Sequence, residues 1–209
     1  EQLSELIGLL RRNGEEVERS GRRADAIISM MLLHTRGDSS DRRMVSVGDL
    51  AEQALGLAFH SALARKPELR AVEVERNLPG GLPAVRVVPQ RVSQALINVI
   101  DNACYAVWDR MRREPGHRGR LRLSGAQEGE RLVLRVWDNG GGVAPELAQR
   151  LFEPFVTSKP PGEGTGLGLS LAYDIIVHGH GGQIELVSDA RDSTEVVIGL
   201  PLSVAGAID

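Results

Sequence analysis

Two asparagines, one aspartate and a run of alternating glycines are the residues of this sequence whose types and spacing could do chemistry. Asn98 and Asn102 stand four apart in "QALINVIDNACYAV", so on a helix they share a face. An apolar helix that presents two amides must satisfy them, by a metal, by a polar ligand or by buried side-chain hydrogen bonds. In "VWDNGGGV", Asp138 closes an alternating strand pattern and is followed by Gly140, Gly141 and Gly142. An acid at a strand end with glycines beside it can accept a hydrogen bond from an amino group such as that of adenine. Asn-Gly also builds a type I′ turn, the competing reading of the same residues. In "PPGEGTGLGLSLAYDIIVHG", Gly164, Gly166 and Gly168 alternate with Thr165 and Leu167 and lead straight into helical spacing. Unpaired N–H groups at a helix start form an anion site, and glycine lets an anion approach closely. The run is not a Walker loop, because no lysine and hydroxyl follow its last glycine, and no strand feeds it directly. Taken alone, it reads equally well as a flexible linker.

The elements that must position these residues can be read around them. Pro89 can open a helix through "QRVSQALINVIDNACYAVWDRMR", and "SVGD" at 46–49 offers a serine cap with an acid three residues later. "AVEVER" alternates as a strand. "RLRLSG" and "RLVLRVWD" form one predicted hairpin, and "GGQIELVS" with "TEVVIGL" forms a second. Strands at both ends with helices between them imply an α+β fold. Its architecture is a two-layer sandwich with a mixed sheet covered by helices on one face. Ahead of it, Leu3, Leu10, Val17, Ala24 and Met31 recur every seven residues, which predicts a long N-terminal helix over 1–36 packing lengthwise on a partner. An amphipathic helix lying on its own domain is the alternative. Gly14 and Gly21 each weaken that helix by roughly 1 kcal/mol relative to alanine, so it needs support. Residues 37–45 read as a linker, 46–203 as the globular domain and 204–209 as a tail.

Composition narrows the classes. The 209 residues are 42% hydrophobic and 25% charged with a formal net charge of −3, as in an ordinary globular protein with no basic field for nucleic acid. One cysteine, Cys104, leaves no internal disulfide and suits a reducing compartment. The longest apolar run, "AIISMMLL", falls far short of the roughly 20 residues that cross a bilayer. The opening "EQLSELIGLL" is acidic where a signal peptide is basic. These features predict a cytoplasmic segment, one that could belong to a longer receptor.

Taken in order, "QALINVIDNACYAV", "VWDNGGGV", "LFEPFVTSK" and "GEGTGLGLSL" resemble the asparagine, first glycine, phenylalanine and second glycine boxes of the catalytic ATP-binding domain of sensor histidine kinases. That domain shares the Bergerat fold with gyrase, the mismatch-repair ATPases and the heat-shock chaperone ATPase. The resemblance covers about residues 45–202. It implies ATP and Mg²⁺ as ligands, with Asn102 on the metal, Asn98 supporting it and Tyr105 lying along the adenine. Asp138 would accept from the adenine amino group, Gly140 and Gly142 would admit the ring, and Thr194 would help Asp138 hold a water. Gly164, Thr165, Gly166, Leu167 and Gly168 would hold phosphate at the hinge of a lid. Lys159 would reach the terminal phosphate, with a solvated lysine as the alternative. Phe152 and Phe155 would anchor the lid or pack in the core.

Two departures from the family pattern matter. Ser193-Thr194 replaces the frequent Gly-Thr of the last hairpin. No histidine among His34, His60, His117, His178 and His180 is followed by the acid, basic residue and proline of the phosphoacceptor. "GRRADAIISMMLLHTRG" resembles the second helix of the family's dimerisation hairpin. The reading is therefore half of that hairpin plus a complete ATP domain, not competent by itself to phosphorylate a histidine of its own. The implied partners are a response regulator receiver domain and a second copy through the N-terminal helix, with no nucleic acid and no membrane segment. The hydrolases of the superfamily carry glutamate where Asn98 stands, and an amide cannot accept a proton, so asparagine suits transfer to a neutral imidazole. A nucleotide-binding regulatory or scaffold module and a slow ATPase are the alternatives.

Overall fold

The computed structural model describes residues 13–14, 21, 42–160 and 163–202. Within 1–36 only positions 13, 14 and 21 are described, all helical, so the long predicted helix and His34 lie outside the described residues. Elements are numbered along the described chain. Strand β1 (Arg43–Ser46) leads directly into α1 (Val47–Arg65), followed by a 3₁₀ turn over Pro67–Ala71. Then come β2 (Glu73–Asn77), β3 (Ala84–Val87) and the long helix α2 (Pro89–Arg113). The hairpin β4 (Arg120–Glu128) and β5 (Arg131–Asp138) precedes two short helices, α3 (Pro145–Ala148) and α4 (Gly168–Tyr173). A π-helical turn over Asp174–His178 continues α4, and β6 (Gln183–Asp189) pairs with β7 (Ser193–Pro201).

Five strands form one sheet in the order β2-β4-β5-β7-β6. The β2–β4 pair is parallel and the rest are antiparallel, so the sheet is mixed as expected. Alternation along β4 and β5 turns Leu121, Leu123, Leu132, Leu134 and Val136 toward the helices, where all are buried. Helix α2 meets them with Val92, Leu96, Val99, Ile100, Ala103 and Val107, and α1 covers α2 with Ala51, Ala54, Leu55, Ala58 and Ala62. Each fully buried Leu, Val or Ile of this set contributes about 1.5–3 kcal/mol. Among the described residues, no helix is long and apolar enough to cross a membrane.

Local signals set the ends of the helices. Ser46 caps α1 by accepting the Asp49 N–H at 3.2 Å. Pro89 fills the first position of α2, where its missing N–H is no loss, and Arg110, Arg112 and Arg113 complement the dipole at its far end. The expected linker 37–45 needs correction at its end. Arg43–Ser46 pairs antiparallel with Ala84–Val87, making a two-stranded sheet beside the main one. Hydrogen bonding to β3, a strand too short to stand out in the sequence, decides this, and four-residue strands carry little periodicity.

Candidate functional site

Helix α2 supplies one wall of a cavity of about 370 Å³, which β5, β6, β7, the segment between α3 and α4, the start of α4 and Arg65 at the end of α1 complete. Among the sequence-predicted residues, Asn98, Asn102, Tyr105, Asp138, Gly140, Gly142, Lys159, Gly164, Thr165, Gly166, Gly168 and Thr194 all line it. Leu167 does not. It is 2% exposed and buried in the interior, whereas its neighbours Thr165, Gly166 and Gly168 line the cavity.

The asparagine pair faces the start of α4. A side chain at Gly168 would come within 3.7 Å of Asn102 Nδ2 and 3.8 Å of Asn98 Cβ, so the helix start sits close against both amides. Gln94 Nε2 donates to Asn98 Oδ1 at 3.1 Å, while Asn98 Nδ2 is buried without a hydrogen-bond partner. Lys159 Nζ donates to Asn102 Oδ1 at 2.8 Å and lies 4.4 Å from the centre of the Tyr105 ring. Burial pushes the Lys159 ammonium below its ordinary pKa. The Tyr105 hydroxyl donates to Glu163 Oε2 at 3.0 Å, so two residues of the lid segment clasp two residues of α2. Burial, and then this hydrogen bond, push the tyrosine up to about 12. Lys66 packs over Tyr105 and Trp108, at 4.0 Å and 3.2 Å from the ring centres, and burial lowers it to about 8.

At the other end of the cavity, Asp138 terminates β5 with 4% of its surface exposed. The Gly140 N–H donates to its Oδ1 at 2.8 Å. Burial nevertheless raises the carboxyl to about 7, because one hydrogen bond does not offset the loss of water around a charge. Thr194 lies directly opposite Asp138 in the β5–β7 register.

The glycines of the first box also let their loop pack closely on its neighbours. A side chain at Gly140 would lie 2.5 Å from the backbone and Cβ of Ala106, and one at Gly142 would collide with the Asp189 carbonyl. Having no side chain, they let the loop approach α2 and the β6–β7 turn this closely while still lining the cavity. The type I′ turn on Asn139-Gly140 is absent, since neither residue has a positive φ. Asn139 instead accepts the Arg120 N–H at 2.7 Å and donates to the Arg118 carbonyl at 2.8 Å, tying the end of β5 to the start of β4.

Gly166 and Phe155 close the lid segment on itself. The Phe155 N–H donates to the Gly166 carbonyl at 2.8 Å, and both residues have φ of +68°. A side chain on Gly166 would strike the Phe155 backbone. Phe152 packs against the core and tilts onto Tyr173 at 5.6 Å between ring centres. Phe155 is 63% exposed, so its backbone and not its ring holds the lid, which corrects the expected pair of anchors.

Several cavity residues escaped the sequence reading. Val136, Val196 and Leu186 line it beside Asp138 and Thr194, and two-residue alternation from those positions would have found the first two. Arg65, whose guanidinium lies 2.5 Å from Asp101 Oδ1, and Glu163 carried no signal.

Similarity to known proteins agrees with this geometry. The pattern described as "Histidine kinase-, DNA gyrase B-, and HSP90-like ATPase" matches residues 87–204. The two-component sensor PprA of Pseudomonas aeruginosa is 33% identical over 91% of this chain and 20% of its own length. The sensory histidine kinase/phosphatase NtrB of Rhizobium meliloti is 36% identical over 71% of this chain and 40% of its own. The chain thus spans less than half the length of these curated relatives. The fold is that of the histidine kinase ThkA catalytic domain, with a TM-score of 0.62 and 24% identity over 77% of this chain and 95% of that one. Full-length ShkA in complex with AMPPNP superposes with a TM-score of 0.72 and 22% identity, over 99% of this chain and 40% of that one.

Proposed function

We propose, from the premise that this chain belongs to the histidine kinase-, DNA gyrase B- and HSP90-like ATPase family, that its cavity binds Mg²⁺-ATP and presents the γ-phosphate to a histidine nitrogen. Within the family the chain is the ATPase domain of a histidine kinase of the two-component type. The observation that carries the finer reading is the pairing of Asp138 at one end of the cavity with Asn98, Asn102 and Lys159 at the other. The first is a buried acceptor for the amino edge of a base. The second is a set of amides and a cation suited to phosphate.

The residues present fit both ligands. Asn98 Nδ2, buried and unpartnered, suits a phosphate oxygen. Asn102 Oδ1 already accepts from an ammonium and would hold the metal, which prefers oxygen ligands. Bound Mg²⁺ would screen the charge of the phosphate oxygens. Asp138 orients the base, with Thr194 beside it, and Val136, Leu186 and Val196 give the base an apolar wall. Lys159 would exchange Asn102 for the terminal phosphate. Tyr105, Gly140, Gly142 and the backbone of residues 164–168 complete the nucleotide site. Asn98 cannot take a proton from water, which favours transfer to a neutral imidazole over hydrolysis.

On this reading the ATP domain spans about 46–203, residues 1–36 form half of a dimerising hairpin, and the phosphoryl group passes on to a response regulator receiver domain in the cytoplasm. The test is incubation with γ-labelled ATP and Mg²⁺, with the chain alone and with a helix fragment bearing an acceptor histidine. Slow hydrolysis alone and label on the fragment are expected. Acid-labile label on the chain alone, lost in His34→Gln, would overturn the assignment of the acceptor to another helix. Tight binding with no transfer to any acceptor would favour a nucleotide-binding regulatory module.

A further inference from the structure

Arg110 is a largely buried cation that the site described above does not use. It lies on α2 two turns beyond Asn102, with its side chain 14% exposed. Its Nη1 donates to two main-chain carbonyls, that of Asn139 at 3.0 Å and that of Asp192 at 2.9 Å. Its Nε donates to Glu114 Oε2 at 2.9 Å. The first carbonyl belongs to the loop that follows Asp138, and the second to the turn between β6 and β7. These two segments also hold each other. Gly141 N–H donates to the Asp192 carbonyl at 3.2 Å, and Arg191 N–H donates to the Gly141 carbonyl at 2.9 Å.

We propose that Arg110 is a positioning residue for the base end of the nucleotide site, clamping the loop 139–142 and the β6–β7 turn onto α2. The proposal rests on the reading of Asp138 as the base acceptor. Residues 139–144 have no regular secondary structure, so their place depends on specific bonds such as these. The Asp138 carboxylate takes its hydrogen bond from Gly140, the residue between the two that Arg110 holds directly or through Asp192. Moving this loop moves that N–H, and with it the orientation of the carboxylate. One helix then fixes both ends of the ligand. Asn98 and Asn102 set the phosphate end, and Arg110 sets the distance from it to Asp138. A planar guanidinium can serve two carbonyls and a carboxylate at once, which an ammonium on a flexible stem does poorly.

The experiment compares ATP with ITP, which carries a carbonyl where ATP has the amino group, on the full chain. The expected result is that the wild type prefers ATP and that Arg110→Gln brings the ATP/ITP ratio toward one, a loss of about tenfold in ATP affinity with ITP little changed. Arg110→Lys should recover only part of the ratio. In an Asp138→Asn background, Arg110→Gln should have no further effect on ATP affinity, because the two act through one contact. A generally loosened fold would weaken both nucleotides alike and add to Asp138→Asn, and that outcome overturns the proposal. Wild type that fails to distinguish ATP from ITP overturns the reading of Asp138 as well. Wild type that discriminates while Arg110→Gln and Arg110→Lys both keep the ratio overturns this inference alone. If Arg110→Gln does not fold, Arg110→Lys and its cycle with Asp138→Asn decide.

Discussion

Of the two oxygens of the buried Asp138 carboxylate, the Gly140 N–H satisfies Oδ1, and Oδ2 has no protein donor among the described residues. With its pKa raised to about 7, this acid is half protonated near neutrality in the free protein. An amino group is a donor, so it binds the ionised form and drives the proton off. ATP affinity should therefore rise with pH through about 7 and fall by up to tenfold per unit below it. Asp138→Asn should weaken ATP binding by roughly ten- to hundredfold, since a charge-assisted hydrogen bond is worth about 1.5–3 kcal/mol, and should remove the pH dependence. Calorimetric titrations from pH 5.5 to 8.5 test both; a flat wild-type profile would remove Asp138 from the base site. Asp138, Asn98 and Asn102 were legible in the sequence because polar side chains interrupt strong apolar patterns. Arg110, Glu163 and Lys66 were not, because a charged residue near a helix end or in a loop is ordinary, and only the fold reveals what it meets.

At the scale of elements, α2 begins without a side-chain cap, and His180 takes part of that role. The Val88 N–H donates to His180 Nε2 at 3.0 Å, and His180 Nδ1 lies 2.7 Å from the Ile175 carbonyl, so Nδ1 carries the proton and Nε2 accepts. This bond joins the end of the π turn after α4 to the start of the asparagine helix. Burial lowers the His180 pKa, with Arg42 and Arg91 acting in the same direction. The unfolded chain therefore takes up the proton first. The contribution is fully present above the ordinary imidazole value and is lost as pH falls below about 6.5, at no more than roughly 1.4 kcal/mol per unit. Denaturant unfolding of wild type and His180→Gln at pH 5 to 8 should show the difference between them shrinking with acid. A constant difference would contradict the neutral, accepting His180. Helices α1, α2 and α4 and both hairpins were readable from their periods of 3.6 and 2. The β1–β3 pair and the π turn were not, since the first is too short for a pattern and the second depends on how the helix packs.

For the molecule as a whole, the cavity belongs to no single element. Its lining comes from α1, α2, β5, β6, β7 and the lid segment, so an unfolded chain has nothing to offer a nucleotide. Saturating Mg²⁺-ATP should then stabilise the protein, by about 2.7 kcal/mol at a hundred times its Kd, and raise the melting midpoint. Asp138→Asn at the same ATP concentration should show a smaller rise. Calorimetric melts of the two proteins check this, and an unshifted wild-type midpoint would contradict ligand binding in this cavity.

The strand order also has a consequence in time. The pairs β4–β5 and β6–β7 join neighbours in the chain and can close early, whereas β5–β7 must bring residue 138 to residue 194. The parallel pair β2–β4 must wait for the crossover through α2. Loop closure over such separations slows the non-local steps relative to the hairpins. Asp138 meets Thr194 only when the two hairpins join, so the base end of the cavity is assembled late in folding. ATP bound there would then protect the chain by slowing its unfolding and not by speeding its folding.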